Sequence, residues 1–184
     1  DPRFGGLISL SGPSRSLLDT AIEQLRAMRI QSGADPAETD QALAGFREAI
    51  LQPDGPAPDL SALPEAVPLW QATHVPGRQA VARELILVDP LASLRAYHGH
   101  GLVVSAANDA QVPEWDADRI FAALGSDPGK KTRVSIADAN HVYKSETRSP
   151  STIGQGEMLA GYADDDHALA DGLVDAIVDF VTAR

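Results

Sequence analysis

Apolar and polar positions follow two different periods along this chain. Residues 7–11 form a short apolar run of the kind that is typical of a buried parallel strand. After that run, apolar residues recur every three or four positions until Gly33, which predicts an amphipathic helix. Ser16, followed by an acid three residues later, is the expected N-cap of this helix.

The same signals predict three further helices before the period changes. Asp35 with a proline next to it is a second helix start, and its helix places Leu43, Phe46 and Ile50 inward. Closely spaced prolines then allow only short turns, until a helical segment near 78–87. An aspartate and a proline open a further helix over 89–97. The interrupting prolines are Pro53, Pro56, Pro58, Pro64 and Pro68.

The second half of the chain reads as alternating strands and helices. Runs rich in β-branched residues predict strands at 102–107 and 132–137, with a helix over 113–124 between them. Residues 142–163 are expected to form a long loop, and the acidic run 164–166 to begin the last helix. A strand, several helices and a strand–helix–strand–helix unit predict an α/β fold with a helical insertion.

Composition narrows the function classes. The 184 residues allow one ordinary domain, and the 26 acidic against 15 basic residues give a net charge of −11. That charge repels phosphate backbones and anionic lipid surfaces, so we expect neither a nucleic acid nor a membrane as partner. The absence of cysteine excludes disulfides, thiolate nucleophiles and cysteine-ligated metals. The compartment remains open on this sequence.

Two chemically capable side chains follow the late strands. Asp109 comes after the strand at 102–107, and His141 comes after the strand at 132–137, roughly thirty residues later. The carboxyl ends of parallel strands meet at one edge of a sheet, where α/β proteins place their sites. Acid before histidine is the order of the last two members of a Ser–Asp–His triad. Alone, the acid also reads as a helix cap and the histidine as a turn residue.

With these residues in view, the chain resembles the C-terminal part of a bacterial serine esterase of the α/β-hydrolase superfamily, of the kind with a helical cap. Asp1–Arg15 is similar to the strand that leads into the cap. Leu102–Val112 is similar to the acid-bearing strand end, commonly Gly-x-x-Asp-x-Gln-Val, with Ala106 where glycine is common. Ala139–His141 resembles the histidine turn of the family.

The resemblance implies the C-terminal half of an α/β-hydrolase sheet with an inserted helical cap. Residues 1–15 and 88–184 would form the core and 16–87 the cap. The implied activity is hydrolysis of a small carboxylic ester through an acyl-enzyme, with His141 as general base and acid and Asp109 orienting it. This chemistry requires no cofactor and no metal.

The nucleophile is the main departure from the family pattern. The chain contains no Gly-x-Ser-x-Gly elbow, which the family would place before Asp1, so a second polypeptide or an upstream segment is expected to supply the serine and the oxyanion donors. Ser14 is a weaker rival, since it follows a strand and precedes a helix. A proline precedes it, however, and Ser16 replaces the closing glycine.

Several alternatives stay open at this stage. The chain could be a non-catalytic α/β binding or scaffold module, or a superfamily relative with peptidase, acyltransferase or dehalogenase chemistry. His98 with His100, and the acidic run 164–166, are weak metal candidates that read more simply as solvated loop residues and a helix start. One apolar set would either line an acyl pocket or pack the cap helices together: Leu18, Ile22, Leu25, Met28, Phe46 and Trp70.

Overall fold

The computed structural model describes residues 5–52 and 55–183. The described chain divides into two compact units, one made of the residues up to Ser14 and from Asp89 onward, the other of 15–88. The second unit is helical. Its helices are α1 (Leu17–Gln31), α2 (Pro36–Leu51), α3 (Val67–Thr73) and α4 (Gln79–Leu87).

The helical unit has a core of its own. The side chains of Leu18, Phe46, Ile50 and Leu63 are almost completely buried in one apolar cluster. Two of its helices begin at the predicted caps: Ser16 Oγ accepts the Asp19 N–H, and Asp35 Oδ1 accepts two N–H groups of the first turn of α2.

The other unit contains a parallel sheet, which confirms the predicted α/β class. Its strands are β1 (Leu7–Leu10), β2 (Gly101–Ala106) and β3 (Lys131–Ile136), and their spatial order is β1-β2-β3. All six residues of β2 are buried, as expected for a central parallel strand. Its helices are α5 (Pro90–Arg95), α6 (Glu114–Ala123), α7 (Gln155–Ala163) and α8 (Leu173–Thr182).

The two faces of β2 pack against different helices. Val103 lies in a cluster with residues of α5 and α6, while Leu102 and Val104 pack with Leu173 of α8 and its neighbours. Leu102 is the register partner of Ile8, and Val104 that of Leu10. Because partner residues in a parallel sheet point to the same face, Ile8 and Leu10 lie on the α8 face, yet 38% and 43% of their surface remains exposed.

Three predictions about secondary structure were wrong. They concern the proline-rich stretch, residues 142–163 and the start of the last helix. The proline-rich stretch contains α3, because Pro68 lies in its first turn, where proline needs no helical N–H partner. Pro53 lies outside the described residues. Residues 142–163 were expected to form a loop, but they end in α7. The glycines in this helix weaken the sequence signal for it.

The last helix begins at Leu173 and not at the acidic run 164–166. Leu169 forms an antiparallel bridge with Lys144, so the chain is still extended there, and Gly172 at φ +88° then turns it into the helix. Within the described part of the chain, every helix is too short or too polar to cross a lipid bilayer.

Candidate functional site

Asp109 is fixed by the tight turn that follows β2. One carboxylate oxygen, Oδ1, accepts the backbone N–H groups of Gln111 at 2.8 Å and of Val112 at 2.9 Å. The side chain is 1% exposed. A buried carboxylate needs such donors to offset its lost hydration, and these two leave the second oxygen, Oδ2, available for another partner.

His141 is presented by a turn that the preceding asparagine organises. The side-chain oxygen of Asn140 accepts the N–H groups of Val142 at 3.1 Å and of Lys144 at 3.0 Å. The Asn140 N–H in turn bonds to the Lys144 carbonyl at 3.0 Å. Asparagine favours such turns because its short side chain reaches nearby backbone groups. These three hydrogen bonds fix the backbone on both sides of His141 and so limit the positions of its imidazole.

The structure brings the two predicted residues together. His141 Nδ1 lies 2.8 Å from Asp109 Oδ2. A carboxylate only accepts, so Nδ1 carries the proton, which leaves Nε2 with a lone pair to act as a base. The imidazole is 27% exposed, while the carboxylate behind it is buried. This Asp109–His141 pair, called the dyad below, can take a proton from a hydroxyl and return it.

Two residues in the left-handed backbone region lie near the dyad, and sequence reasoning missed both. Ser11 has φ +44° and Tyr143 has φ +60°, values that are unusual for side chains of any size. Ser11 Oγ donates to the Tyr143 hydroxyl at 3.1 Å, and that hydroxyl donates to the Val104 carbonyl at 2.9 Å. The bonds tie the end of β1 and the centre of β2 to the histidine turn.

Tyr143 belongs electrostatically to the same site. Burial raises the pKa of its phenol, and the charge of Asp109 adds to the rise, whereas the hydrogen bond with Ser11 opposes it. The phenol therefore stays protonated at neutral pH and remains a hydrogen-bond donor. The only sequence signal for it is its place two residues after the candidate histidine.

Ser14 is placed unfavourably for a nucleophile. Its side chain is buried, and its Oγ donates to Asp116 Oδ1 at 2.5 Å, while its N–H bonds to the same oxygen at 2.8 Å. Both hydrogen bonds attach the segment after β1 to Asp116 of α6. Within the described residues, no serine hydroxyl bonds to the free nitrogen Nε2 of His141.

The remaining candidate residues from the sequence, the metal ligands and the apolar set, do not lie together at one site. His98 Nδ1 lies 2.6 Å from the Gly125 carbonyl, and Asp164 contacts its own neighbour His167. No three histidine or acidic side chains of the described segments are arranged to hold a metal ion. The apolar set of the helical unit packs in or against its core, and of that set Phe46 lines a cavity of about 680 Å³ beside α2.

No protein-family model matches the chain, and no curated protein matches it significantly. The geometry of the dyad and of the sheet therefore carries the functional argument.

Proposed function

We propose that this chain supplies the acid and the histidine of a Ser–His–Asp hydrolase that cleaves carboxylic esters. The observation that carries the proposal is the 2.8 Å contact between Asp109 and His141 at the carboxyl ends of neighbouring parallel strands. A buried acid that holds an imidazole through Nδ1, with Nε2 pointing elsewhere, is the arrangement that activates a serine hydroxyl.

The reaction would follow the acyl-transfer route. Nε2 of His141 takes the proton of the serine as its oxygen attacks the ester carbonyl, and Asp109 stabilises the imidazolium that forms. The same nitrogen then gives the proton to the departing alcohol, which leaves an acyl-enzyme. Water repeats the two steps in the second half of the cycle, and the serine and the acid product are released.

We further propose that the serine lies on a polypeptide segment outside this chain. The exposed side of β1 supports this. Among the described strands β1 has a neighbour on one side only, and parallel strands are ordinarily paired and covered on both faces. Ile8 and Leu10 stay exposed although the partners of both in β2 are buried, so an additional strand and helix would fit there.

We extend the proposal to the architecture of the whole chain. The chain would be the C-terminal half of an α/β-hydrolase sheet that acts on a small ester, and the helical unit 15–88 would be its inserted cap. On this reading the chain acts without a cofactor or a metal. Peptidase, acyltransferase and dehalogenase chemistry would differ in the absent nucleophile and its surroundings.

Labelling with a fluorophosphonate tests the proposal. The purified protein, together with any polypeptide that accompanies it, is treated with the probe and analysed by native and denaturing mass spectrometry. We expect the label on a serine outside this chain, and we expect its loss in His141→Ala but not in the control Ser14→Ala.

Three other results would contradict the proposal. A folded 19.4 kDa chain that is alone and unlabelled would favour a non-catalytic α/β module. Labelling that survives His141→Ala would remove the dyad from the chemistry. A label on Ser14 would place the nucleophile within this chain.

A further inference from the structure

Tyr162, near the end of α7, lies against the dyad and has no role in the chemistry above. The centres of its ring and of the His141 ring are 6.2 Å apart, with 35° between the planes, a separation typical of aromatic contact. Its hydroxyl oxygen is buried and makes no hydrogen bond of normal geometry in the described structure. The ring therefore lies beside the imidazole, and its hydroxyl is shielded from solvent.

Burial and two groups of the site act on the pKa of the Tyr162 hydroxyl. Burial raises the pKa of Tyr162 to about 12, the Asp109 charge adds to the rise, and the Gln111 side chain acts in the opposite direction. Gln111 is also the residue whose N–H bonds to Asp109. Gln111 and Asp109 therefore both act on a phenol whose ring lies beside the imidazole of His141.

Lys144 fixes this part of α7 to the histidine turn. Its Nζ donates to the carbonyl oxygen of Tyr162 at 2.9 Å and to that of Asp164 at 2.5 Å, at the C-terminal end of the helix. A cation is favourable at that end of a helix because the last carbonyls are unpaired and the dipole is negative there. The backbone N–H of Lys144 bonds to Asn140, whose side chain shapes the loop around His141.

We propose that Tyr162 is a positioning residue whose ring covers the hydrogen bond between Asp109 and His141 and excludes water from it, with Lys144 holding that cover in place. A hydrogen bond to a carboxylate strengthens when competing water is removed, because the local dielectric constant falls. The cover would keep the imidazole in the tautomer and orientation that catalysis needs. The role in catalysis rests on the proposed function, whereas the shielding of the hydrogen bond does not.

Exchange of the His141 Nδ1 proton with water, measured by proton NMR on the intact chain, tests the shielding directly. We expect Tyr162→Ala to accelerate this exchange at least about tenfold, because the ring that limits access is gone. Tyr162→Phe keeps the ring and should leave the rate within about twofold of the wild type. Tyr162→Leu, which keeps apolar bulk on the helix, should be intermediate.

A matched pair of lysines tests the anchor. Lys144→Met should accelerate the exchange, since α7 loses its tie to the turn. Lys131→Met is the control, because Lys131 Nζ donates in the same manner to two carbonyls at the end of α6, those of Phe121 and Leu124. It should leave the exchange of the His141 proton unchanged.

The proposal is overturned if Tyr162→Ala, with a native backbone spectrum, exchanges at the wild-type rate. It is equally overturned if Tyr162→Phe accelerates exchange as much as Tyr162→Ala, since the hydroxyl and not the ring would then be responsible. If the alanine variant does not fold, the leucine variant decides in the same way. No turnover is measured, so failure here is distinct from failure of the labelling experiment.

Discussion

At the scale of single residues, the carboxylate of Asp109 performs two tasks with two different oxygens. Oδ1 holds the turn after β2 through two backbone N–H groups, and Oδ2 holds the imidazole of His141. The structural and the chemical contributions are therefore separable by substitution. An asparagine retains an oxygen acceptor for the turn, whereas an alanine removes both interactions.

On the proposed function, we expect Asp109→Asn to lower kcat of the enzyme completed by its serine by about 10⁴-fold, because the amide favours the wrong tautomer of His141. Asp109→Ala should lower it comparably. The two should differ in stability, with the alanine variant less stable by about 1–3 kcal/mol, since the N–H groups of Gln111 and Val112 lose their acceptor. Urea unfolding followed by circular dichroism measures this, and equal midpoints would contradict the assignment of Oδ1 to the turn.

Glu146 provides a prediction about acid stability. Its hydrogen bonds and charge interaction with Arg148 lower the pKa of its carboxyl to about 2. A folded-state pKa below the unfolded value means that the stabilisation is complete above the unfolded pKa and is lost as the pH falls towards 2.

For this partly solvated pair we expect a contribution of about 1 kcal/mol at neutral pH. Free energies of unfolding measured at several values between pH 2 and pH 6 check it. Glu146→Gln should flatten the dependence over that interval while leaving the rest of the profile unchanged. An unaltered slope in the variant would show that other carboxyls account for the acid sensitivity.

At the scale of elements, capping side chains allowed the starts of three helices to be predicted from the sequence. Ser16, Asp35 and Asp89 each accept an N–H of the first turn, and each was recognisable in the sequence. The starts of the last two helices carry no such signal. Gly154 precedes α7 and Gly172 precedes α8, and glycine has no side chain with which to cap a helix.

Only part of the candidate site could be predicted from the sequence. Asp109 and His141 follow strands whose carboxyl ends must meet, so their proximity could be derived from the order of elements. Tyr162 comes near them because it lies in α7, a helix that was not predicted from the sequence. No periodicity or spacing gave its position.

Two glycines allow a matched test of backbone conformation. Gly172→Ala should destabilise the protein by about 1–2 kcal/mol, because φ there is +88° and an L-residue is strained in that region. The added carbon would meet Ile136 at an ordinary 3.8 Å, so packing is not the cause. Gly161→Ala, inside α7 with open space around it, should instead stabilise by about 0.5–1 kcal/mol. Thermal unfolding of both variants gives the comparison, and losses of equal size would contradict it.

At the scale of the whole molecule, the chain consists of two units with separate interiors. The cluster around Phe46 and Ile50 contains only residues of the helical unit, and the clusters on the sheet contain only residues of the other. A unit that buries its own core should be able to fold by itself.

We therefore expect residues 15–88, produced alone, to show a helical circular dichroism spectrum and a cooperative thermal transition. Phe46→Ala in this fragment should abolish the transition, because the lost burial costs about 3–5 kcal/mol, comparable to the whole stability of so small a core. A fragment with the spectrum of an unfolded chain would show that the helical unit depends on the rest of the molecule.

The discontinuity of the sheet unit also sets an order of events on the ribosome. Leu7 leaves the exit tunnel before the helical unit, and its partner Gly101 leaves after it. At roughly 5–20 residues per second, β1 remains without its neighbour for about 5–20 s. The inserted helices have time to condense first during that delay. During those seconds the edge of β1 that pairs with β2 is available to a chaperone that binds nascent chains, and pairing of β1 with β2 becomes a late step of folding.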